Sequence, residues 1–158
     1  MFRIGSGHDT HRLQEGRPLI LGGVTIDYAK GLYGHSDADV VLHAITDALL
    51  GAAGMGDIGD MYPDTDEFYK GADSAIFLNG ALERLRSCGW SPVNIDITNF
   101  AQEPKLGPLK SQIRERIASL VGLPVDAVNV KAKTGEKVGH IGRSEAIGCH
   151  AVVLIEKQ

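Results

Sequence analysis

Two cysteines in 158 residues, no run of consecutive lysines or arginines and no apolar stretch of membrane-spanning length narrow the field at once. Cys88 and Cys149 have no CxxC context and no neighbour at zinc-ligand spacing. They are therefore expected to be reduced, non-catalytic thiols. A formal charge of −4 argues against nucleic acid and anionic membrane surfaces as partners. The opening Met-Phe-Arg-Ile-Gly-Ser-Gly lacks a signal-peptide core, so a cytoplasmic protein is expected. Also absent are a Walker A motif, HExxH and Gly-x-Ser-x-Gly, and Gly5-Ser-Gly7 is too short for a dinucleotide fingerprint. There are no repeats or low-complexity segments, and the length suits one domain over residues 1–158 with its own core.

What the chain does contain is organised around His35 to Asp47, a loop feeding a helix that runs to about Gly54. Ser36 or Asp37 is expected to cap it, since Ser36-x-x-Asp39 has capping-box spacing. Val41, Ile45, Ala48, Leu49 and Ala52 recur at core spacing, whereas Asp39, His43 and Asp47 fall at i, i+4 and i+8 on another face. Taken alone, that face is a solvated flank with a surface histidine. Asp9-Thr10-His11 changes the weighting, because in extended chain Asp9 and His11 point to the same side. Two ligands from a strand end and one from a helix make His₂Asp, which leaves a tetrahedral Zn²⁺ one open position and describes a catalytic site.

The remaining elements are expected in sequence. Phe2 to Gly7 is a short strand delivering Asp9 and His11 at its end, and Pro18 to Tyr28 is a hairpin turning at Gly22-Gly23. The acidic, glycine-rich stretch from Gly54 to Gly71 is either a functional loop or a plain connection. Asp73 or Ser74 caps a helix with Ile76, Leu78, Ala81, Leu82 and Leu85 inward, ended by Gly89, although Asn79-Gly80 in its middle counts against it. Val93, Ile95 and Ile97 alternate as a half-buried strand; a turn from Ala101 to Pro108 follows. Leu109, Ile113, Ile117 and Leu120 line a third helix to Gly122. Val128 to Thr134 is a strand, Gly135 to Ser144 a loop with Glu136, Lys137, His140 and Arg143, and Ala146 to Ile155 a central strand. The expected fold is α+β: a mixed β-sheet with helices on one face, in the order β-α-α-β-α-β-β with an added N-terminal hairpin.

An open zinc position can activate water or polarise a carbonyl or phosphoryl oxygen. His35, Ser36, Lys105, Lys133, Thr134 and Arg143 are phosphate-binding candidates, and Asp57, Asp64 and Asp66 are acceptors for hydroxyls, a mix that suits a phosphorylated polyol. Two other classes stay open at this point. One is a zinc-dependent phosphohydrolase; the other is a non-catalytic metal-binding trimer, which predicts a closed site with four protein ligands.

Several motifs then occur in one order: Gly7-His-Asp-Thr-His11, Gly34-His-Ser-Asp-Ala-Asp39, Leu42-His-Ala-x-x-Asp-Ala-Leu-Leu-Gly51, Gly56-Asp-Ile-Gly59, Pro63-Asp-Thr-Asp66, Lys70-Gly-Ala-Asp-Ser74, Ala101-Gln-x-Pro-Lys105 and Val130-Lys-Ala-x-Thr-x-Glu-Lys137. Over nearly the whole chain this resembles the 2-C-methyl-D-erythritol 2,4-cyclodiphosphate synthases of non-mevalonate isoprenoid biosynthesis. The resemblance implies a homotrimer with active sites between subunits and one Zn²⁺ per subunit on Asp9, His11 and His43. It implies that His35 and Thr134 stabilise the transition state and that Glu136 helps hold Mg²⁺ or Mn²⁺ on the substrate diphosphate. Asp57, Ile58, Gly59, Tyr62, Pro63, Asp64, Thr65 and Asp66 would bind the methylerythritol. Ala101, Lys105, Leu106, Gly107 and Lys133 would form the cytidine pocket, with Ser36, His140 and Arg143 also among the substrate-binding residues. Asp47, without a ligand role, is expected to orient a liganding histidine. His8 and His140 depart from the family, many members of which carry an aromatic residue there, lining a hydrophobic cavity on the trimer axis. Gly107 and Gly135 also stand where bulkier or polar residues are common.

Overall fold

The computed structural model describes residues 1–157. β1 (Phe2–Glu15) is followed by the hairpin β2 (Leu19–Leu21) and β3 (Val24–Ile26), then β4 (Lys30–Leu32), α1 (Val40–Ala53) and the single-turn α2 (Ile58–Met61). α3 (Ala75–Ser87), β5 (Trp90–Phe100), α4 (Lys110–Val121), β6 (Val128–Lys133), the single-turn α5 (Gly139–Gly142) and β7 (Ala146–Lys157) complete the chain. Five strands form a mixed sheet in the order β4-β1-β7-β5-β6, with β5 and β6 parallel and the other pairings antiparallel. Among the described residues no helix is long and apolar enough to cross a membrane.

β1 is longer than its weak alternation predicts. It runs for 14 residues, paired with β7 from Phe2↔Glu156 to Arg12↔Ala146, so Asp9 and His11 lie within the strand and not beyond its end. Its two faces differ in chemistry. Gly5, Gly7, Asp9, His11 and Leu13 point toward the helices, whereas Phe2, Ile4, Ser6, His8 and Thr10 point away and are exposed.

The helix face carries the core. Leu42, Ile45, Leu49 and Leu50 of α1 are fully buried, and each such side chain contributes about 1.5–3 kcal/mol relative to leaving it exposed. α1 lies so close on β1 that a Cβ on Gly7 would sit 2.0 Å from the Ala44 carbonyl oxygen, and one on Gly5 2.0 Å from that of Ala48. Only glycine permits this approach. A second close contact explains Gly80 in the middle of α3: a Cβ there would meet the Tyr62 hydroxyl at 1.9 Å. The glycine that lowers helix propensity is the seat for an aromatic side chain from the preceding loop.

Several local expectations are corrected. Asp39, not Ser36 or Asp37, is the N-cap of α1, accepting from the Val41 and Leu42 N–H groups; Ser36 Oγ instead accepts from Ala38 N–H. Asp39 is fully buried and turned away from His43, since it also accepts from Gly22 and Gly23 N–H at 2.9 and 2.6 Å. It thus ties the β2–β3 hairpin to the helix start. Burial pushes its carboxyl up to about 6, against the pull of these donors. In α3, Ile76 is exposed at 52% and the neighbouring Phe77 takes the inward position.

Candidate metal centre and active-site cleft

Asp9 and His11 reach the helix side of β1 through the two-residue strand period, and α1 brings His43 over them. Asp9 Oδ2 lies 2.9 Å from His11 Nε2 and 3.0 Å from His43 Nδ1, and the two nitrogens are 3.3 Å apart. Donor atoms of a tetrahedral zinc with bonds near 2.0–2.1 Å are about 3.3 Å apart, so the three atoms already outline one face of such a site. Among the described residues this is the cluster able to hold a metal ion, and its atoms have a carboxylate-imidazole character suited to zinc.

Electrostatics favour the same state. Burial raises the Asp9 carboxyl, but hydrogen bonds and charge from His11 and His43 win and hold it well below the usual carboxylate range. Burial opposes charge on His11 too, yet the Asp9 hydrogen bond and charge raise its pKa above the ordinary imidazole value.

The three side chains open onto a cleft of about 1180 Å³. Of the residues singled out from sequence, His35, Ser36, Ile58, Gly59, Tyr62, Pro63, Asp64 and Thr65 join them on its walls, and so does Asp47. Asp57 and Asp66 are exposed and do not line it. Asp57 caps α2, accepting from Asp60 N–H, and Asp66 offers its carbonyl to His35 Nε2 at 2.8 Å. Asp47 does not orient a histidine as expected. Its Oδ1 accepts from Ile58 N–H at 2.8 Å and ties the start of α2 to α1, while burial raises its carboxyl above the usual range.

A second, smaller recess of about 240 Å³ is lined by Ala101, Lys105, Leu106, Gly107, Lys133 and Thr134. Glu136 stands beside it with a φ of +50°, and its Oε1 accepts from the Thr134 hydroxyl at 3.2 Å. Thr134 and His35, expected to act together, line different depressions of one chain. His140 sits on α5, and the exposed Arg143 pairs with Glu145 at 2.8 Å; neither lines the cleft or the recess. Both cysteines are free. Cys88 is exposed, and Cys149 is buried with its thiol pushed up by desolvation, which makes it a poor nucleophile.

Residues that sequence reasoning passed over also line the cleft. Arg17 donates to the Ser36 and Gly34 carbonyls at 2.8 and 3.3 Å, and Lys70 adds a second cation. Tyr62, Tyr69 and Phe77 form an aromatic cluster, with Phe77 6.0 Å from the His43 ring. Ser74 Oγ lies 2.8 Å from His43 Nε2. Lys70 and Ser74 belong to a motif legible in sequence, Lys70-Gly-Ala-Asp-Ser74, but Arg17 and Phe77 gave no signal of chemistry.

The YgbB family model matches residues 2–156 of the chain. The 2-C-methyl-D-erythritol 2,4-cyclodiphosphate synthase of Chromobacterium violaceum is 61% identical over 155 residues, 98% of each chain. The bifunctional IspDF of Campylobacter jejuni superposes with a TM-score of 0.96 at 44% identity, covering 100% of this chain; this chain spans 43% of that longer one. A cyclodiphosphate synthase solved in a CDP-bound form superposes with a TM-score of 0.90 at 39% identity, covering 98% of this chain and 100% of that one.

Proposed function

The chain belongs to the YgbB family of 2-C-methyl-D-erythritol 2,4-cyclodiphosphate synthases, lyases of the non-mevalonate isoprenoid pathway, and from that membership we propose its reaction. It cyclises 4-diphosphocytidyl-2-C-methyl-D-erythritol 2-phosphate to the 2,4-cyclodiphosphate and releases CMP. The observation that carries this reading is the open face formed by Asp9 Oδ2, His11 Nε2 and His43 Nδ1 on the wall of the larger cleft. Three donors and an open side suit one catalytic Zn²⁺ per subunit; a purely structural site would need a fourth protein ligand.

When bound, the zinc supplies Lewis acidity toward a phosphoryl oxygen. The protein's own groups provide placement and charge. The attacking 2-phosphate needs no general base, because a phosphate monoester has a second pKa of about 6 and is mostly dianionic at neutral pH. Repulsion between anions is the obstacle, and positioning plus fixed positive charge overcomes it. His35 commits Nε2–H to the Asp66 carbonyl, which holds its ring on the cleft wall, where it is the side chain assigned to a phosphate oxygen. Asp64 and the backbone of Ile58 and Gly59 face the cleft where polyol hydroxyls are held, with Tyr62, Pro63 and Thr65 shaping the wall and Asp57 and Asp66 bracing it.

The smaller recess takes the cytidyl end, with Lys105, Lys110 and Lys133 as its cations and Thr134 on its wall. The CDP-bound relative supports a nucleotide pocket in this fold. Glu136, a hard oxygen donor beside Thr134, would help to hold a Mg²⁺ or Mn²⁺ that neutralises the diphosphate.

His35 and Thr134 meet across subunits of a homotrimer. Their separation into two depressions supports this reading, and so does the bare sheet face opposite the helices. There Ile4 and Val152 are 76% and 38% exposed, and the register sets Ile4 beside Leu154 and His8 beside His150. The same face carries His8, and with His140 and Arg143 it belongs to the trimer side of the protein.

Incubation with the cytidyl substrate and Mg²⁺, followed by ³¹P NMR, tests the proposal. A cyclic diphosphate and CMP are expected. A linear phosphate product would identify a phosphohydrolase, and an unconsumed substrate would remove the assignment.

A further inference from the structure

His43 faces Asp9 and His11 with Nδ1, and its opposite nitrogen, Nε2, lies 2.8 Å from Ser74 Oγ. A serine hydroxyl can donate or accept, so this contact alone leaves the position of the ring proton open. Asp37 closes the question. The Ser74 hydroxyl donates to Asp37 Oδ1, and a carboxylate oxygen accepts. The single hydroxyl proton is thereby spent on Asp37, and the oxygen offers a lone pair to an Nε2–H of His43 at 2.8 Å, closer than the Ser36 hydroxyl, the other neighbour of that nitrogen, at 3.3 Å.

The support is fixed in place. Asp37 also accepts from Ser74 N–H and Asp39 N–H, both at 3.1 Å, and its own N–H donates to the Ala72 carbonyl. Ser74 is fully buried. The backbone does the same for His11, whose Nδ1 lies 2.8 Å from the Tyr33 carbonyl, an acceptor only. Both imidazoles then aim a lone pair at one point. In the opposite tautomer His43 would aim an N–H at Asp9 Oδ2, 3.0 Å away, so the carboxylate on one side of the ring and the Ser74–Asp37 pair on the other compete for the ring proton.

We propose that Ser74 and Asp37 are positioning residues of the metal centre: together they hold the His43 ring with its proton on Nε2, so that Nδ1 is free to bind the metal. This deepens the metal-dependent reading above and rests on it. A hydrogen-bonded partner of this kind typically changes metal affinity or activity by roughly 10- to 100-fold.

Long-range ¹H–¹⁵N correlation spectra of the metal-free protein report directly which ring nitrogen carries the proton. His43 in the native protein should be the Nε2–H form, and Ser74→Ala and Asp37→Asn should each yield a mixture. In chelator-competition titrations each variant should bind zinc roughly 10- to 100-fold more weakly. Because the two residues act through one chain of hydrogen bonds, the double variant should lose no more affinity than Ser74→Ala alone. Thermal melts establish that each variant is folded, and the tautomer readout would not move if Ser74 merely filled space. A Ser74→Ala protein with the native tautomer and native zinc affinity overturns the inference, as does a native His43 with its proton on Nδ1. Failure of the native protein to take up zinc would instead overturn the metal-centre reading, a result the metal-free spectra keep separate.

Discussion

Gly7→Ala is the most informative small change available in this protein, because one methyl group tests the link between packing and the metal site. The added Cβ would lie 2.0 Å from the Ala44 carbonyl oxygen and 2.8 Å from Ala48 N. Ordinary contact needs roughly 3.5 Å, so α1 must withdraw by about 1.5 Å at this point. Both neighbours are helix backbone, which has no rotamer to turn aside. His43 precedes Ala44, so its Nδ1 moves with the helix while Asp9 and His11 stay on β1, and the 3.0 Å separation from Asp9 Oδ2 opens. Metal bonds tolerate displacements of only about 0.2 Å. Zinc affinity should therefore fall at least as far as for the loss of a supporting hydrogen bond, roughly 10- to 100-fold. Overpacking should also lower stability by about 1–3 kcal/mol, equivalent to about 2–4 °C in Tm per kcal/mol for a chain of this size. Gly5→Ala is the control, because it meets the Ala48 carbonyl more than one helical turn beyond His43. It should destabilise comparably and disturb zinc less. Urea denaturation and chelator competition read the two effects separately. Native zinc affinity in Gly7→Ala, or equal zinc loss in both variants, would refute the argument that local helix displacement controls the site.

Three further outcomes are expected. Zinc affinity should weaken as pH falls, because the metal must displace a proton from His11, whose pKa is raised above its ordinary 6.5, while Asp9 stays ionised; the decline of about tenfold per pH unit should therefore begin above pH 6.5, and a titration flat down to pH 6 would contradict it. Glu136→Gln should leave zinc content unchanged but raise the Mg²⁺ concentration needed for activity, since an amide is a poorer ligand for a hard cation than a carboxylate; an unaltered Mg²⁺ titration would remove Glu136 from that role. Asn99 is fully buried and its side-chain amide has no hydrogen-bond partner among the described residues, so Asn99→Leu should stabilise the fold by about 1–2 kcal/mol in urea denaturation, and a destabilised variant would mean that the amide is satisfied in solution.

The fold was legible wherever a local period carried it. Alternation marked β5 and β6, Gly22-Gly23 marked the hairpin, and glycines at 54 and 122 ended α1 and α4 in left-handed C-cap geometry. The full length of β1 is not legible because its inward face carries Gly5, Gly7, Asp9 and His11, which have no apolar signal. That face is shaped by the helix laid against it, a tertiary relation with no trace in local propensity. Phe77 displaced Ile76 from the interior for a related reason: the aromatic cluster with Tyr62 and Tyr69 belongs to the loop before α3, and helical spacing alone cannot report it.

The site divides along the same line. Helical periodicity set Asp39, His43 and Asp47 on one stripe and thereby suggested three residues facing one centre. A stripe 12 Å long, about eight residues at 1.5 Å each, is longer than a metal site, so its members can meet different neighbours. Only His43 lies opposite Asp9 and His11; Asp39 at one end meets the hairpin N–H groups of Gly22 and Gly23, and Asp47 at the other meets the N–H of Ile58. The two carboxylates thus hold the loops that flank the cleft, on either side of the histidine that serves it. What the stripe could not disclose was the partner of His43 Nε2, because Ser74 lies 31 residues further on and arrives through the start of α3. Ligands adjacent on one strand or one helix leave a pattern in the sequence, whereas the hydrogen bond that sets the proton on a ligand is made between elements. The three candidate ligands could accordingly be written down before the fold, and the orientation of their rings could not.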